Sequence, residues 1–254
     1  MSARHSDLFV AWQDVHGRSI YPVARLRVTE ATEAKEPLYE FRYIRGAREA
    51  MKSGFVAFDS FPTLDETYLS RKLFPLFQNR IMPTNRPDYA GYVEELGLSV
   101  ETADPIKLLA RSGGLRSTDH IEIYAAPPCR VNLCDWYFLL RGIRHLPSSA
   151  EERIESLPQG ARLSVMRDVQ NEYNPNALLL RSDDDQKVNL GYIPDLLVDD
   201  LAKLDLARDK FKVTVARVNL RPAPIQHRVL CHLEVRWPEG RTPFTSDRFM
   251  PLKP

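Results

Sequence analysis

From Arg167 to Leu180 the chain reads RDVQNEYNPNALLL, with the carboxamides of Gln170, Asn171, Asn174 and Asn176 set around Tyr173 and Pro175. Carboxamides donate and accept hydrogen bonds but neither titrate nor attack carbon, so the chemistry of this run is recognition. A tight turn needs two or three polar residues, whereas this excursion uses about eight before NALLL resumes a strand pattern. A tyrosine ringed by amides makes a stacking platform for an unpaired base, with the amides free for sugar or phosphate. The same residues suit a structural loop, because asparagine side chains satisfy local backbone groups and Pro175 fixes one φ angle.

Catalytic templates are missing. The chain has no G-x-S-x-G, H-E-x-x-H, Walker-type glycine loop or dinucleotide fingerprint. His120, His145, His227 and His232 are candidate bases, but no nearby serine or cysteine has a nucleophile's setting, so a non-enzyme is expected. ARSGGLRSTD, Ala110 to Asp119, reads as a glycine helix cap more than an anion-binding nest. The triplet Asp183–Asp185 lacks the spaced oxygens and glycine of a calcium loop and reads as a solvated hairpin turn.

Cys129, Cys134 and Cys231 are too few, and odd in number, for a disulfide framework, which fits a reducing compartment. A zinc set of these cysteines with His232 is disfavoured, because neighbours on a strand face opposite sides. No metal or other cofactor is expected. With 43% hydrophobic and 27% charged residues over 254 positions, the chain has material for two ordinary domains. A net charge of +1 removes whole-chain electrostatic steering, so a nucleic-acid partner must be held by a local patch. No run of about 18 apolar residues occurs and the start lacks a signal-peptide pattern, so a cytoplasmic protein with no membrane partner is expected.

The elements that must position these groups follow from periodicity. LFVAWQDVHGRSIYPVARLRV reads as a hairpin, and LYEFRYI as a strand with an aromatic face of Tyr39, Phe41 and Tyr43. Helices are expected over TLDETYLSRKLFPLF with Thr63 as N-cap, RPDYAGYVEELG with Pro87 in its first turn, and DPIKLLARSGG between Asp104 and Gly113. HIEIYAAPP returns to a strand, and APPCRVNLCD is read as a linker. Beyond it, WYFLLRGI, ARLSVMRD, the hairpin NALLLRSDDDQKVNLGYI, KFKVTVARVNL and HRVLCHLEVRW are strands. SSAEERIESL is a short serine-capped helix, and PDLLVDDLAKLDL a helix with Leu196, Leu197, Leu201 and Leu204 on one face. Several short strands in about 115 residues close most naturally as a small β-barrel.

The amide run resembles the HIRAN domain, whose hallmark is R-[DE]-P-x-N-P-Y-D-x-N-A-[IV] followed by a strand, a turn, G-[YH]-[IVL] and a helix. The matching residues are Arg167, Asp168, Asn171, Tyr173, Asn174, Asn176, Ala177 and Leu178, then LGYIPDLLVDDL with Tyr192; upstream, LRGIRHLP offers Gly142, Arg144 and His145. The resemblance spans about Trp136 to Trp237 and implies an OB-like barrel, with a pocket for the 3′-hydroxyl end of single-stranded DNA. It places Arg144 near phosphate, His145 and Tyr173 beside the terminal base, and Asn171 and Asn174 at the terminal sugar. Arg167, Asn176 and Tyr192 complete the implied DNA-binding set. Three positions depart from the DNA-binding members: Asn174 stands for the carboxylate that accepts the terminal hydroxyl, His145 for the stacking tyrosine, and Asp195 for a basic residue.

The first half, about Leu8 to Ala126, resembles the small N-terminal subdomain of HipA-type toxin kinases. The resemblance rests on YEFRYIRGA, on RKLFPLFQNRIMP from Arg71 to Pro83, and on DPIKLLARSGG before HIEIY. No kinase body follows, so it implies protein contacts and no phosphotransfer. The expected architecture is α+β: an N-terminal mixed α/β subdomain over residues 1–130, then a small OB-like, HIRAN-like β-barrel over residues 131–254. The expected function is a non-catalytic adaptor that binds single-stranded DNA or 3′ ends and holds a protein partner through residues 1–130. The alternative is an antitoxin-like or regulatory protein-interaction module for a HipA-type kinase or a nuclease.

Overall fold

The computed structural model describes residues 5–29, 36–204 and 210–252. In chain order the first elements are β1 (His5–Gln13), β2 (Ile20–Thr29), β3 (Leu38–Tyr43), α1 (Gly46–Lys52), β4 (Thr67–Ser70), α2 (Pro75–Gln78), α3 (Tyr89–Glu95), α4 (Pro105–Ser112) and β5 (Ile121–Ala125). Then come β6 (Cys129–Arg130), β7 (Leu133–Leu139), α5 (Ser148–Glu155), β8 (Arg162–Arg167), β9 (Leu178–Ser182), β10 (Asn189–Tyr192), α6 (Asp195–Leu201), β11 (Phe211–Val218) and β12 (Val229–Arg236). The fold is α+β, its paired strands all antiparallel.

The described residues form two compact units. One passage between them falls at Ala126–Pro127. In addition, Pro83–Ala103 packs with the second unit, and the segment from Phe244 with the first.

The first unit is a five-stranded sheet in the order β4-β3-β2-β1-β5. The aromatic face of β3 is buried as its alternation requires: Phe41 and Tyr43 are inaccessible, and Phe41 stacks on Phe61 with centroids 3.7 Å apart. The helix expected from Thr63 is instead the edge strand β4 followed by the single turn α2. Tyr68 pairs with Phe41 across the sheet, and Pro75 holds Phe74 extended, which breaks any helix running through it. The α4 signals act as read: the Asp104 carboxylate accepts from the N–H of Ile106 and Lys107, both at 2.9 Å, and Gly113 caps the end at φ 73°.

The second unit is a curled seven-stranded sheet in the order β10-β9-β8-β11-β12-β7-β6. Its curl brings the end of β7 back to β10, where Arg141 and Tyr192 exchange backbone hydrogen bonds of 3.0 and 2.8 Å. The sheet is therefore barrel-like, joined by one bridge. Gly191 permits this closure: at φ 143° it sits where a Cβ would lie 2.4 Å from the Arg141 carbonyl oxygen. Two expectations are corrected. The segment read as a linker is a hairpin, β6–β7, turning through Val131 and Asn132 at φ 47° and 66°. Helix α5 has Pro147 at its N-cap position and no side-chain cap, so Ser148 does not serve as one.

Two outcomes test these packing arguments. Gly191→Ala loses about 2–4 kcal/mol of stability to strain and overlap, against about 1–2 for Gly240→Ala, where φ is positive but nothing lies within 4 Å; urea unfolding reads both. In the first unit, Tyr43 donates to the Phe61 carbonyl at 2.8 Å and accepts from the Phe58 N–H at 2.7 Å, and burial raises its phenol from 10.0 to about 12. A raised value means stability complete below the ordinary tyrosine range and lost as pH climbs through about 12. Tyr43→Phe therefore lowers stability near pH 7 and reduces its alkaline fall, measured as denaturation midpoint against pH.

Candidate functional site

The amide run leaves β8 and enters β9 with its ends tied together, the Asp168 N–H donating to the Ala177 carbonyl at 2.9 Å. Inside it, Asn171 Oδ1 accepts from the N–H of Tyr173 and of Asn174 at 3.1 and 3.0 Å. Asn174 Oδ1 accepts from the Asn176 N–H at 2.9 Å. Each asparagine oxygen replaces a backbone acceptor that so wide a loop lacks.

The amide nitrogens reach α6. Asn174 Nδ2 donates to Asp195 Oδ1 at 2.9 Å, and Asn176 Nδ2 to Asp199 Oδ1 at 3.3 Å. Asp195 and Asp199 stand four apart and share a face of a helix that buries Leu196, Leu197 and Leu201. The Arg167 guanidinium donates to the carbonyl of Ala202, where a helix end leaves oxygens unpaired. Arg167, Asn174 and Asn176 thus fasten the loop along α6.

A second set of contacts runs to the barrel closure. The Tyr192 hydroxyl donates to Asp168 Oδ2 at 2.9 Å, and Asn171 Nδ2 approaches the same oxygen at 3.5 Å. Burial first, then the Asp168 carboxylate, pushes the Tyr192 phenol up. Gly142 lies under the Tyr192 ring, where a Cβ would be 2.9 Å from Cδ2. The 3-10 turn Ile143–His145 follows directly, with Arg144 and His145 exposed and Arg144 Nε donating to His145 Nε2 at 3.0 Å. Tyr173 stands at the loop surface with 62% of its area exposed.

The structure therefore joins Asn171, Asn174, Asn176 and Tyr192 in one bonded cluster, brings in Arg144 and His145 through Gly142, and holds Arg167 at the far end of α6. The amides read as a rim for sugar or phosphate are committed to the loop's own backbone and to α6. Sequence reasoning named Asp168 only as a motif position and missed Asp199, and both are partners that organise this cluster. The four-residue spacing of Asp195 and Asp199, on the side of α6 away from its leucines, was the available signal.

The cysteine expectation is corrected: Cys129 and Cys134 are register partners on β6 and β7 and form a disulfide. Cys231 is buried, which pushes its thiol up. Among the described residues no cluster of His, Cys, Asp and Glu could hold a metal ion, and no helix is long and apolar enough to cross a membrane.

No family model matches the chain, and no curated protein matches it. A crystal structure of a protein from Lactobacillus plantarum aligns at 18% identity over 39% of this chain and 95% of the other, with a TM-score of 0.30. At that score the likeness carries no argument about fold or activity.

The Asn174–Asp195 bond sets a prediction. Asn174→Asp places two carboxylates where the structure has a 2.9 Å hydrogen bond, so like-charge repulsion destabilises the second unit near pH 7 by about 1–3 kcal/mol. Repulsion raises the pair's pKa, so the loss shrinks as pH falls through the carboxylate range and one partner takes a proton. Thermal melts of wild type and variant between pH 3.5 and 7.5, about half a unit apart, read the difference.

Proposed function

We propose that the second unit is a non-catalytic, HIRAN-like module that binds unpaired DNA at its 3′ end, with the loop of Arg167 to Ala177 as its reading edge. The supporting observation is the Asn174–Asp195 bond. The DNA-binding members of the resembling family are expected to carry a carboxylate where this chain has Asn174, and Asp195 sets one within 2.9 Å of the Asn174 amide. A carboxylate there accepts a terminal hydroxyl with charge assistance that an amide alone lacks. Tyr173, exposed on a loop held by its own asparagines, offers a base-stacking face, and Arg144, which donates to His145, supplies the cationic side. The first unit serves as the protein-contacting part of the adaptor.

A second reading, a protein-interaction module of antitoxin-like type, is favoured by the charge around the loop. Asp168, Glu172, Asp195 and Asp199 lie in or against it, while the Arg167 guanidinium is held on the Ala202 carbonyl.

Fluorescence anisotropy with labelled single strands ending in a free or a blocked 3′-hydroxyl separates the two. The DNA reading expects tighter binding to the free end, and a log-log salt slope of about −1 to −2 for two or three phosphate contacts. Tyr173→Ala weakens it by about 1–3 kcal/mol, and Asp195→Asn removes the preference for the free hydroxyl. Equal binding to both ends rejects end recognition, and absence of binding leaves the protein-interaction reading.

A further inference from the structure

The outer face of the barrel carries a group of aromatic and polar residues apart from the amide loop. On β11, β12 and β7, Thr214, His232 and Tyr137 are register partners in one row. Strand alternation buries Val213, Val215, Cys231, Leu233, Trp136 and Phe138 on the inner side and turns this row outward. The Tyr137 and His232 rings stack with centroids 4.4 Å apart and planes 24° from parallel. His232 Nε2 lies 2.6 Å from Asp135 Oδ1, a bond that fixes the imidazole plane.

Facing this row, α3 and the segment after it are fastened to the strands. Asn219 Nδ2 donates to the Glu95 carbonyl at 2.9 Å, His227 Nδ1 lies 2.8 Å from Glu95 Oε2, and Arg217 donates to Glu94 at 2.8 Å. Gly97 comes so close that a Cβ there would stand 2.6 Å from Leu230 Cδ2. Between these walls, with Gln159 and Gly160 at the rim, lies an open groove of about 520 Å³. That volume is in the range of small-ligand sites.

The lining restricts what fits. Arg217 and Glu94 neutralise each other, so the groove is built neither for a phosphate nor for a cation. Stacked on Tyr137 by one face, the His232 ring turns its other face along the row toward Thr214, and stacking there accepts any base because every base has a π-face. The Gln159 carboxamide and the Thr214 hydroxyl, both lining the groove, make no hydrogen bond among the described residues. A carboxamide offers a donor and an acceptor side by side, the pattern that pairs two-fold with a base edge such as adenine N6 and N7.

We propose that this groove binds a nucleobase, stacked on the His232 ring that Tyr137 backs and read at its edge by Gln159, whether the base arrives on a free nucleoside or within a single strand. Because the contacts are to the base and not to phosphate, binding depends little on salt, unlike binding at the loop.

Saturation-transfer NMR and calorimetry on the full chain test it, with adenosine, guanosine, cytidine, thymidine and adenosine monophosphate as free ligands and short homopolymeric DNA as the strand arm. Saturable binding of at least one of these is expected, weakened about tenfold or more by Tyr137→Ala or His232→Ala. It should be retained in Tyr137→Phe, weakened in the exposed variant Gln159→Ala and unchanged in Tyr173→Ala, which separates this site from the loop. Binding of strands alone, lost in the same variants, assigns the base to a polymer; binding of nucleosides assigns it to a free ligand. Tyr137→Phe and Gln159→Ala keep the test readable if the alanine variants unfold. The proposal is overturned if neither arm saturates, if binding survives both Tyr137→Ala and His232→Ala in folded protein, or if a simple sugar displaces the base.

Discussion

One backbone bridge organises the second unit. A curled antiparallel sheet leaves two edges with unpaired N–H and C=O groups, and the Arg141–Tyr192 exchange joins them where β7 runs past β10. The bridge requires a residue without a Cβ beside the Arg141 carbonyl, and Gly191 fills that requirement. The same event fixes Tyr192, whose hydroxyl holds Asp168, whose backbone in turn closes the amide loop on Ala177. The bridge that closes the barrel thus also supplies one of the two anchors of the loop, the other being its bonds to α6.

The loop then shows how polar residues accumulate without being a binding surface in full. A wide connection between β8 and β9 has backbone donors that no strand partner can reach, and asparagine oxygens meet them one after another. The nitrogen ends of Asn174 and Asn176 bond the carboxylates of α6, whose apolar side is buried. The groups left for the proposed recognition are fewer than the composition of the run suggests: an exposed tyrosine, a carboxylate beside an amide, and a neighbouring Arg–His turn.

The first unit rests on a different constraint. Aromatic rings from β3, β4, α2 and the connecting segments meet around Phe41, and the buried Tyr43 hydroxyl bonds the Phe58 and Phe61 backbone within that cluster. Burying so much ring surface outweighs local helix preference, which is why the stretch after Thr63 is a strand and a turn although its sequence has helical spacing. Arg80, also buried there, is held by Asp119 and the Gly114 carbonyl, so its charge is paired and its donors are met.

Local rules determined much of this protein from sequence alone. The Asp104–Pro105 start and Gly113 end of α4, the aromatic face of β3, the strands from β8 to β12 and the Leu196, Leu197 and Leu201 side of α6 all follow from contacts a few residues apart or from simple alternation. The tertiary structure decided everything that depends on distant partners. The Cys129–Cys134 hairpin, the edge strand β4, the commitment of Asn174 and Asn176 to α6, and the meeting of Tyr137 with His232, 95 positions later in the chain, are of this kind. A sequence states which groups can bond or stack; only closing the sheet on itself selects which of them are brought within 3 to 5 Å.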